Sequence, residues 1–473
     1  MSKSPTLYLG AACPAVGGHA ATPLELPAHH LLTHGVVVGM TGSGKTGLLV
    51  VMVEEALRAG VPVLMVDVKG DLPNLLLSFP SFAAKDLEPW AVDGPEDERS
   101  PAELAAALAE ERRAGLEAWH ITERDLAAFH AKRLVRVLTP GSSAGESVHV
   151  LSALERRSSR WDTDPDAARA TLSAAVSLLL RLVGRDPDPA RSREHVLLSV
   201  LAERRLMARQ PSDVGALLED LAAPPIESVG ALSVDEFLSK KDRKELAAAL
   251  NTVLASPTFA TWRSGVTLDP GEWLAPKDGR TPAVIVSVAH LDDEERALVL
   301  GVLLEEVLTW VRGLSGSQRL RSLVVFDEVY GFLPPHPANP PTKHALVALM
   351  KQARAFGVGV VLATQDPMDL DYRALGNAGL WCVGRLQTDA DRARVIEGLC
   401  AASDATHALS AAELDDITKR LAPRWFLMRD VQAGNGTVLL QPRWAMSYLR
   451  GPMTGSEIRK AREMEAADAP ERP

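Results

Sequence analysis

The sequence is poor in the features that characterise secreted and membrane proteins. Only three of its 473 residues are cysteine, Cys13, Cys382 and Cys400, and their spacing matches no metal-binding motif. Charged residues interrupt the apolar runs well short of the ~18 residues that span a bilayer. The first residues, MSKSPT, lack the apolar core of a signal peptide. These absences exclude a disulfide-stabilised secreted domain and a membrane span, and they predict a cytoplasmic protein with reduced thiols.

Aromatic residues are also scarce, and acidic residues outnumber basic ones. Phe, Trp and Tyr make up 5% of the chain, and it has no evident stripe of basic and aromatic residues of the kind that binds single-stranded nucleic acid. The formal net charge is −10, but residues 85–125 alone contain twelve acidic and only five basic residues. The rest of the chain is nearly neutral, so the overall acidity does not exclude DNA binding through a local basic surface.

Short apolar segments recur through the chain, as expected for buried strands. They lie at 36–38, 61–67, 134–138, 283–288, 323–326, 358–363 and 380–383. Helical patterns separate most of them, for example at 292–312 and 343–356. Near-continuous apolar strands that alternate with helices predict an α/β fold with a mainly parallel sheet covered on both faces.

Two segments interrupt this alternation. Residues 83–130 are rich in Ala, Glu and Arg, which predicts a solvated, acidic helical insertion. From 152 to 281 strand signals almost disappear and helical patterns dominate, which predicts an inserted all-helical subdomain. We therefore divide the chain into a short N-terminal segment (1–34), a first part of the core (35–151), the helical subdomain (152–281), a second part of the core (282–450) and a flexible C-terminal tail (451–473).

The most informative motif follows the first apolar segment. Residues 39–46, GMTGSGKT, fit the G-x-x-x-x-G-K-[ST] pattern of a phosphate-binding loop, or Walker A motif, between a predicted strand and a predicted helix. Glycines let the backbone wrap a polyphosphate, and the helix N-terminus adds partial positive charge. We expect Lys45 to reach the β- and γ-phosphates of ATP, and the Thr46 hydroxyl to bind Mg²⁺. The predicted nucleotide-binding residues are Gly39, Met40, Thr41, Gly42, Ser43, Gly44, Lys45, Thr46 and Gly47.

Hydrolysis also needs a metal anchor and a base, and a second motif supplies both. Residues 323–328, LVVFDE, form a predicted buried strand that ends in two carboxylates, as in a Walker B motif. We expect Asp327 to hold the Mg²⁺ shell and Glu328 to act as general base toward the attacking water. Gln365, at the end of the next predicted strand, is placed to contact the γ-phosphate and the water. A strand between the two Walker motifs, with the Asp-Glu pair, is typical of RecA-like (ASCE) ATPases rather than of GTPases or nucleotide kinases.

Longer blocks are more specific than either motif. They are VGMTGSGKTGLL, VDVKGDLPNLLLSFP, VRVLTPGSSAG, VVFDEVYGFLPP, KQARAFGVGVVLATQDP and NAGLWCVGRLQTDADRARVIEGL. Together they resemble the HerA-like ATPases of the HerA–FtsK superfamily over residues 33–448. That superfamily contains hexameric motors, including DNA-pumping helicases, chromosome translocases and the ATPases of conjugation and type IV secretion. The resemblance implies a motor that uses ATP and Mg²⁺ and assembles into a homo-oligomeric ring, expected to be a hexamer.

The resemblance also implies a residue that acts between subunits. Arg354, in KQARAFG, would be the arginine finger that contacts a neighbouring subunit's nucleotide, which adds it to Lys45, Glu328 and Gln365 as a predicted catalytic residue. Arg385, after the segment 380–383, is a second candidate for this contact. From its spacing alone, Arg354 could instead share a solvated helix face with nearby basic residues.

Asp67 allows two interpretations. By resemblance, this carboxylate at the end of the segment 61–67 would support the active site. From its local sequence, it would only close the turn after the strand, together with Lys69 and Asp71.

Three functions fit the sequence. The first is a DNA translocase or helicase-like motor, in which the proline-rich loop 333–343 could carry strain from hydrolysis to the substrate. The second is a nucleotide-gated scaffold that regulates a partner such as a nuclease, and the third is a secretion- or conjugation-type ATPase. Helicases of the superfamily usually carry a β-barrel before the P-loop, whereas only about 35 residues precede it here. ATP hydrolysis is therefore implied more directly than autonomous translocation.

Overall fold

A large mixed β-sheet forms the centre of the molecule. A computed structural model describes residues 5–16, 21–91, 99–158, 160–371, 375–401, 409–433 and 436–467. The strands are β1 (Thr6–Pro14), β2 (Thr22–Pro27), β3 (Gly35–Val38), β4 (Val63–Asp67), β5 (Arg133–Leu138), β6 (Val148–His149), β7 (Ser228–Val229), β8 (Leu232–Ser233), β9 (Val266–Thr267), β10 (Thr281–Ser287), β11 (Ser317–Asp327), β12 (Phe356–Thr364), β13 (Leu380–Val383), β14 (Phe426–Asp430) and β15 (Thr437–Pro442). Within the described ranges, eleven of them form one sheet in the order β2-β1-β15-β14-β13-β3-β12-β11-β4-β10-β5.

The part of this sheet from β13 to β5 is parallel, so its strands end at one common edge. Both of its faces are buried. Along β3, for example, Val36 and Val38 belong to one apolar core and Val37 belongs to the other. This alternation follows from the two-residue period of a strand, and it explains why the strands read as continuous apolar runs. The predicted α/β fold with a mainly parallel sheet is confirmed.

Helices cover both faces of the sheet. They are α1 (Lys45–Arg58), α2 (Ala84–Leu87), α3 (Pro101–Glu117), α4 (Glu123–Lys132), α5 (Ser152–Glu155), α6 (Arg160–Thr163), α7 (Pro165–Leu182), α8 (Arg193–Met207), α9 (Val214–Ala222), α10 (Val234–Phe237), α11 (Lys240–Ala255), α12 (Pro270–Trp273), α13 (Asp293–Arg312), α14 (Lys343–Gln352), α15 (Asp389–Ala401), α16 (Ala411–Arg420) and α17 (Gly455–Ala467). Helix α1 packs on one face, and α7, α13 and α14 pack on the other. Among the described residues, no helix is both long enough and apolar enough to cross a membrane.

The two predicted insertions contain mainly helices. Between β6 and β10, helices α5 to α12 are accompanied by a small β7–β8 hairpin and by β9, which pairs with β6. The acidic insertion forms α3 and α4, and its residues 92–98 lie outside the described residues. Helix α3 is only partly exposed to solvent. Its Arg112 is buried and donates to the backbone oxygens of Ser81 and Met446 at 2.9 and 2.7 Å.

The N-terminal segment extends the sheet, which the sequence analysis did not predict. Strand β1 pairs antiparallel with β2 on one side and with β15 on the other, and β15 pairs antiparallel with β14. Strand β1 is part of the core, because Leu7 and Leu9 are fully buried in it. Edge strands with interspersed polar residues have a weaker sequence signal than the central parallel strands.

The prediction of a flexible tail at 451–473 is wrong for residues 455–467, which form α17. Ile458 and Ala461, three residues apart, bury one face of this helix against the core. An ion pair of 2.5 Å between Arg133 and Glu465 joins it to the start of β5. The helix forms because its few apolar residues share one face, a signal that its many charged residues obscured.

Candidate active site

The P-loop joins the end of β3 to the start of α1, at the carboxyl edge of the sheet. It is tied to the loop after β13, since Met40 N donates to the Arg385 carbonyl oxygen at 2.8 Å. A Cβ atom at Gly39 would lie 2.6 Å from the Ser43 Oγ, so a larger residue would displace this serine. Gly44 has a φ of 96°, in the left-handed region that favours glycine, and α1 begins directly after it. The loop therefore has the backbone shape by which a glycine-rich turn and a helix N-terminus bind phosphate.

Lys45 and Thr46 lie in the first turn of α1. Lys45 is buried, and its ammonium group donates to the carbonyl oxygen of Gly39. Burial lowers the pKa of Lys45 to about 8, whereas the carboxylates of Glu328 and Asp327 favour its charged form. Thr46 is half-buried on the same turn. Both side chains thus lie where a P-loop lysine meets the β- and γ-phosphates and a hydroxyl meets Mg²⁺.

Neighbouring strands bring two carboxylates together beside the P-loop. Asp327 ends β11 and Asp67 ends β4, and the two residues are paired in the register of these strands. Asp67 accepts hydrogen bonds from the Ser287 hydroxyl at 2.7 Å and from the Gly70 N–H at 2.9 Å. Both Asp67 oxygens therefore accept hydrogen bonds from the chain, and the bond from Gly70 closes the turn after β4. It acts on Asp327 through its negative charge.

Asp327 has the chemistry of a ligand for a divalent cation. Burial raises the pKa of Asp327 well above its ordinary value, and the charges of Asp67 and Glu328 raise it further. Burial also raises the pKa of Asp67. Within the described ranges, no cluster of three or more His, Cys, Asp or Glu side chains could hold a metal by itself. The Asp327 carboxylate and the Thr46 hydroxyl fit Mg²⁺, which commonly takes one or two protein ligands together with substrate phosphates.

Both carboxylate oxygens of Glu328 are held in place. One pairs with the Lys69 ammonium at 2.5 Å, and the other accepts from the backbone N–H of Gln365 at 3.1 Å. Glu328 also has a φ of 61°, a conformation that costs a residue other than glycine about 1–3 kcal/mol and that is concentrated at functional sites. The predicted general base therefore lies at the site, in an ion pair with a lysine to which the sequence analysis gave no catalytic role.

Gln365 connects the P-loop to the acidic residues. It follows β12, which lies between the P-loop strand β3 and the Walker B strand β11. The Thr41 hydroxyl donates to the Gln365 side-chain oxygen at 2.7 Å, and the Gln365 N–H donates to Glu328. Its position between these two elements is that expected of a residue that contacts both γ-phosphate and water.

The structure separates Arg354 from these residues. Arg354 lies in the 3₁₀ turn Ala353–Ala355 before β12, whereas Gln365 follows the other end of that strand. The rise per residue of a strand puts the two ends about 26 Å apart. The Arg354 charge instead acts on His34, which precedes β3. Arg354 therefore cannot reach the P-loop of its own chain, whereas the backbone of Arg385 contacts that loop directly.

Arg354 is accompanied by other exposed cations at the amino edge of the sheet. They lie at the end of α13, in the first half of β11 and in α14, and they are Arg312, Arg319, Arg321 and Lys351. Arg312 donates to the side chain of Gln352 at 3.0 Å, which joins two of these elements. Over the described part of the chain, none of these five cations pairs with an acidic side chain. We call this group the basic edge.

Sequence reasoning missed the site contacts that come from distant segments. Arg424, before β14, donates its N–H to the carbonyl oxygen of Ser43 in the P-loop at 2.9 Å. Trp444, after β15, lies beside Arg424. Lys69 had a local signal, because it stands two residues after the carboxylate that ends β4. Arg424 and Trp444 lie in no recognisable motif and become visible only in the fold.

Comparisons with known proteins find one similar family model and several similar solved structures. The family model described as "Helicase HerA-like C-terminal" matches residues 16–79, which contain the P-loop and β4. VirB4 of Thermoanaerobacter pseudethanolicus is similar in structure, with a TM-score of 0.52 and 13% identity, over 93% of this chain and 96% of that chain. The plasmid coupling protein TrwB, in a complex with ADP and Mg²⁺, has a TM-score of 0.49 and 13% identity, over 90% and 89% of the two chains. No curated protein sequence matches the chain.

The similarity to VirB4 extends over nearly the whole chain and shows a shared fold. The strand order β13-β3-β12-β11-β4 places one strand between the two Walker motifs, as in RecA-like ATPases. The family match covers the phosphate-binding loop itself. The chain therefore has a RecA-like P-loop fold, and its residues 16–79 are similar to the HerA-like family.

Proposed function

We propose that this chain is the subunit of a homo-oligomeric ring, expected to be a hexamer, that couples ATP hydrolysis to movement along DNA. The observation that carries the proposal is the convergence of the P-loop, Asp327, Glu328 and Gln365 at one edge of the sheet. ATP would bind across the N-terminus of α1 with its γ-phosphate toward Asp327. Mg²⁺, held by Thr46 and Asp327, would neutralise negative charge on the β- and γ-phosphates.

The protein groups around the γ-phosphate have complementary roles in this proposal. Lys45 would add positive charge at the β- and γ-phosphates, and Gln365 would orient the attacking water. Glu328 would accept the proton of that water. It can do so only after its carboxylate leaves the Lys69 ammonium, which holds it at 2.5 Å. Turnover should therefore be slow until a further event breaks this pair.

The position of Arg354 supports assembly into a ring. Its side chain is exposed at the basic edge and far from the P-loop of its own chain. An arginine finger that acts on a neighbouring subunit must lie away from the nucleotide site of its own chain, as Arg354 does. In a ring, the basic edge of one subunit would face the nucleotide of the next, and the unpaired cations would be attracted to its phosphates.

Mixed assemblies test this arrangement. Lys45→Ala subunits lack a functional P-loop, and Arg354→Ala subunits lack the finger, so each variant alone should be inactive. Mixing the two should restore part of the ATP turnover, because some interfaces combine an intact P-loop with an intact finger. Arg191→Ala, which removes an exposed arginine outside the basic edge, is the matched control and should retain activity. Failure to restore turnover in assemblies shown by native mass spectrometry to be mixed would overturn the role of Arg354.

The DNA contacts of such a motor should involve phosphates rather than bases, because a translocase must release every base that it passes. Lys343, which begins α14 directly after the proline-rich loop, is a poor candidate, because it pairs with Asp371 at 3.3 Å and is largely buried. ATP turnover should rise with duplex length and fall steeply between low and moderate salt. If the protein forms a ring but neither DNA nor RNA changes its rate of ATP turnover, the proposal that it moves along DNA would be wrong.

A second function, a nucleotide-gated scaffold that regulates a partner such as a nuclease, is favoured by the Lys69–Glu328 pair. Such a protein benefits from slow hydrolysis, since the bound nucleotide then sets the state of the ring. Lys69→Met distinguishes the two. For a scaffold, this variant should raise basal turnover, and DNA should have no effect on either protein. For a motor, DNA should stimulate the parent chain and the variant should already be partly stimulated without DNA.

A further inference from the structure

A cavity of about 500 Å³ opens beside the P-loop. Its floor is the start of α1, with Gly44, Gly47 and Leu48. Its walls include Arg424, before β14, and Trp444, after β15. The phosphate-binding loop and this cavity are therefore continuous, because Gly44 and Gly47 belong to both.

The cavity lies at the opposite end of the P-loop from the carboxylates. Strands β14 and β15 are on one side of β3 in the sheet, whereas β12 and β11, which lead to Gln365 and Asp327, are on the other side. A nucleoside triphosphate that directs its γ-phosphate toward Asp327 must extend its nucleoside away from it. That direction leads into the cavity.

The cavity wall contains the Trp444 indole and a cation that lies over its ring. The guanidinium carbon of Arg424 lies 5.4 Å from the centre of the Trp444 ring. Helix α3 packs closely against Trp444, because a Cβ atom at Gly115 would lie only 2.3 Å from the indole ring. Trp444 is thus fixed in position, and half-buried rather than covered.

The wall is also attached to the P-loop helix. Arg443 forms buried ion pairs of 2.9 Å with Glu54 and with Glu55 of α1. Glu54 also accepts the backbone N–H groups of Met446 and Ser447 at 3.0 and 2.8 Å. Trp444 lies between these anchored residues, so its distance from the phosphate-binding loop is fixed.

We infer that this cavity is the nucleobase subsite, in which an aromatic base stacks on the Trp444 indole and Arg424 contacts the base or its α-phosphate. The inference rests on the proposed binding of a nucleoside triphosphate at the P-loop. Base stacking on an aromatic side chain, measured by substitution with alanine, corresponds to a loss of affinity of roughly 5- to 150-fold. Trp444 would therefore determine how strongly the enzyme prefers a nucleotide to a bare polyphosphate.

Calorimetric titration of the full chain with ATP and with inorganic tripolyphosphate, both with Mg²⁺, tests the subsite. Trp444→Ala should weaken ATP binding by roughly 5- to 150-fold and leave tripolyphosphate binding within about twofold of the parent value. Trp444→Phe should restore most of the ATP affinity. Trp119→Ala, at a half-buried tryptophan outside the cavity, is the matched control and should change neither affinity.

Each other outcome has a definite meaning. Unchanged ATP affinity in Trp444→Ala would overturn the subsite, and so would an equal loss for both ligands, which would make Trp444 a structural support of the P-loop. Trp444→Phe separates these cases if the alanine variant fails to fold, since it keeps an aromatic ring. A parent protein that binds tripolyphosphate and ATP equally would also overturn the subsite but leave phosphate binding intact. A parent protein that binds neither ligand would overturn the proposed function itself.

Discussion

Arg443 provides the sharpest test of how the fold supports the site. Its side chain is fully buried, and it pairs with Glu54, which is also fully buried, and with Glu55, which is 6% exposed. Arg443→Met keeps most of the length of the side chain but removes its charge. Glu54 is then left in the interior without its ion-pair partner, whereas Glu55 keeps its ion pair with Arg58 at 2.9 Å. Breaking a buried ion pair in this way costs about 3–5 kcal/mol.

Urea unfolding measures this cost. With a slope of about 3 kcal/mol per M, the loss should lower the urea midpoint by about 1–1.7 M. Arg420→Met is the matched control, because Arg420 and its partner Asp416 are 73% and 60% exposed and such a surface pair contributes only about 0.3–0.5 kcal/mol. Its midpoint should barely change.

A double variant separates the effect of charge from that of packing. In Arg443→Met with Glu54→Gln, the uncompensated buried charge of Glu54 is gone, so the double variant should be more stable than Arg443→Met alone. If Arg443→Met lowered the urea midpoint no more than Arg420→Met does, the reasoning would be refuted. A double variant no more stable than the single one would assign the loss to packing.

The remaining predictions concern titration and cysteine reactivity. ATP affinity should fall as the pH rises through 8, because burial lowers the pKa of Lys45 to about 8 and only its charged form attracts phosphate. Binding titrations at pH 7 and pH 9.5 check this, and equal affinities would contradict it. Cys382 should resist alkylation at pH 8 in the folded protein, because burial raises its pKa to about 12 and leaves roughly one thiolate in ten thousand. Peptide mass mapping after iodoacetamide treatment should show modification at this cysteine only in the unfolded chain.

The central strands could be predicted from sequence because burial on both faces makes them continuous apolar runs, as at β4 and β12. The antiparallel strands β1, β2, β14 and β15 were missed because they are interspersed with polar residues. The charged helix α17 was taken for a flexible tail for a related reason, since only one narrow face of it is apolar.

In the site, residues of local motifs could be predicted, whereas contacts between distant segments could not. Lys45, Asp327 and Gln365 could be placed at one edge because strand-end residues of a parallel sheet meet there. The pair between Lys69 and Glu328 joins residues 259 positions apart, and that between Arg443 and Glu54 joins residues 389 apart. No pattern within either segment specifies such a partner.

ATP turnover by Glu328→Gln tests whether this site hydrolyses ATP as proposed. The amide cannot accept the proton of the attacking water, so turnover at saturating ATP should fall by roughly 10²- to 10⁴-fold, while ATP affinity stays close to that of the parent chain. Glu397→Gln removes a carboxylate that pairs with Arg394 on the exposed surface of α15, and it should leave turnover unchanged. If the Glu328→Gln protein bound ATP and hydrolysed it at the parent rate, the assignment of the general base, and with it the proposed mechanism, would be wrong.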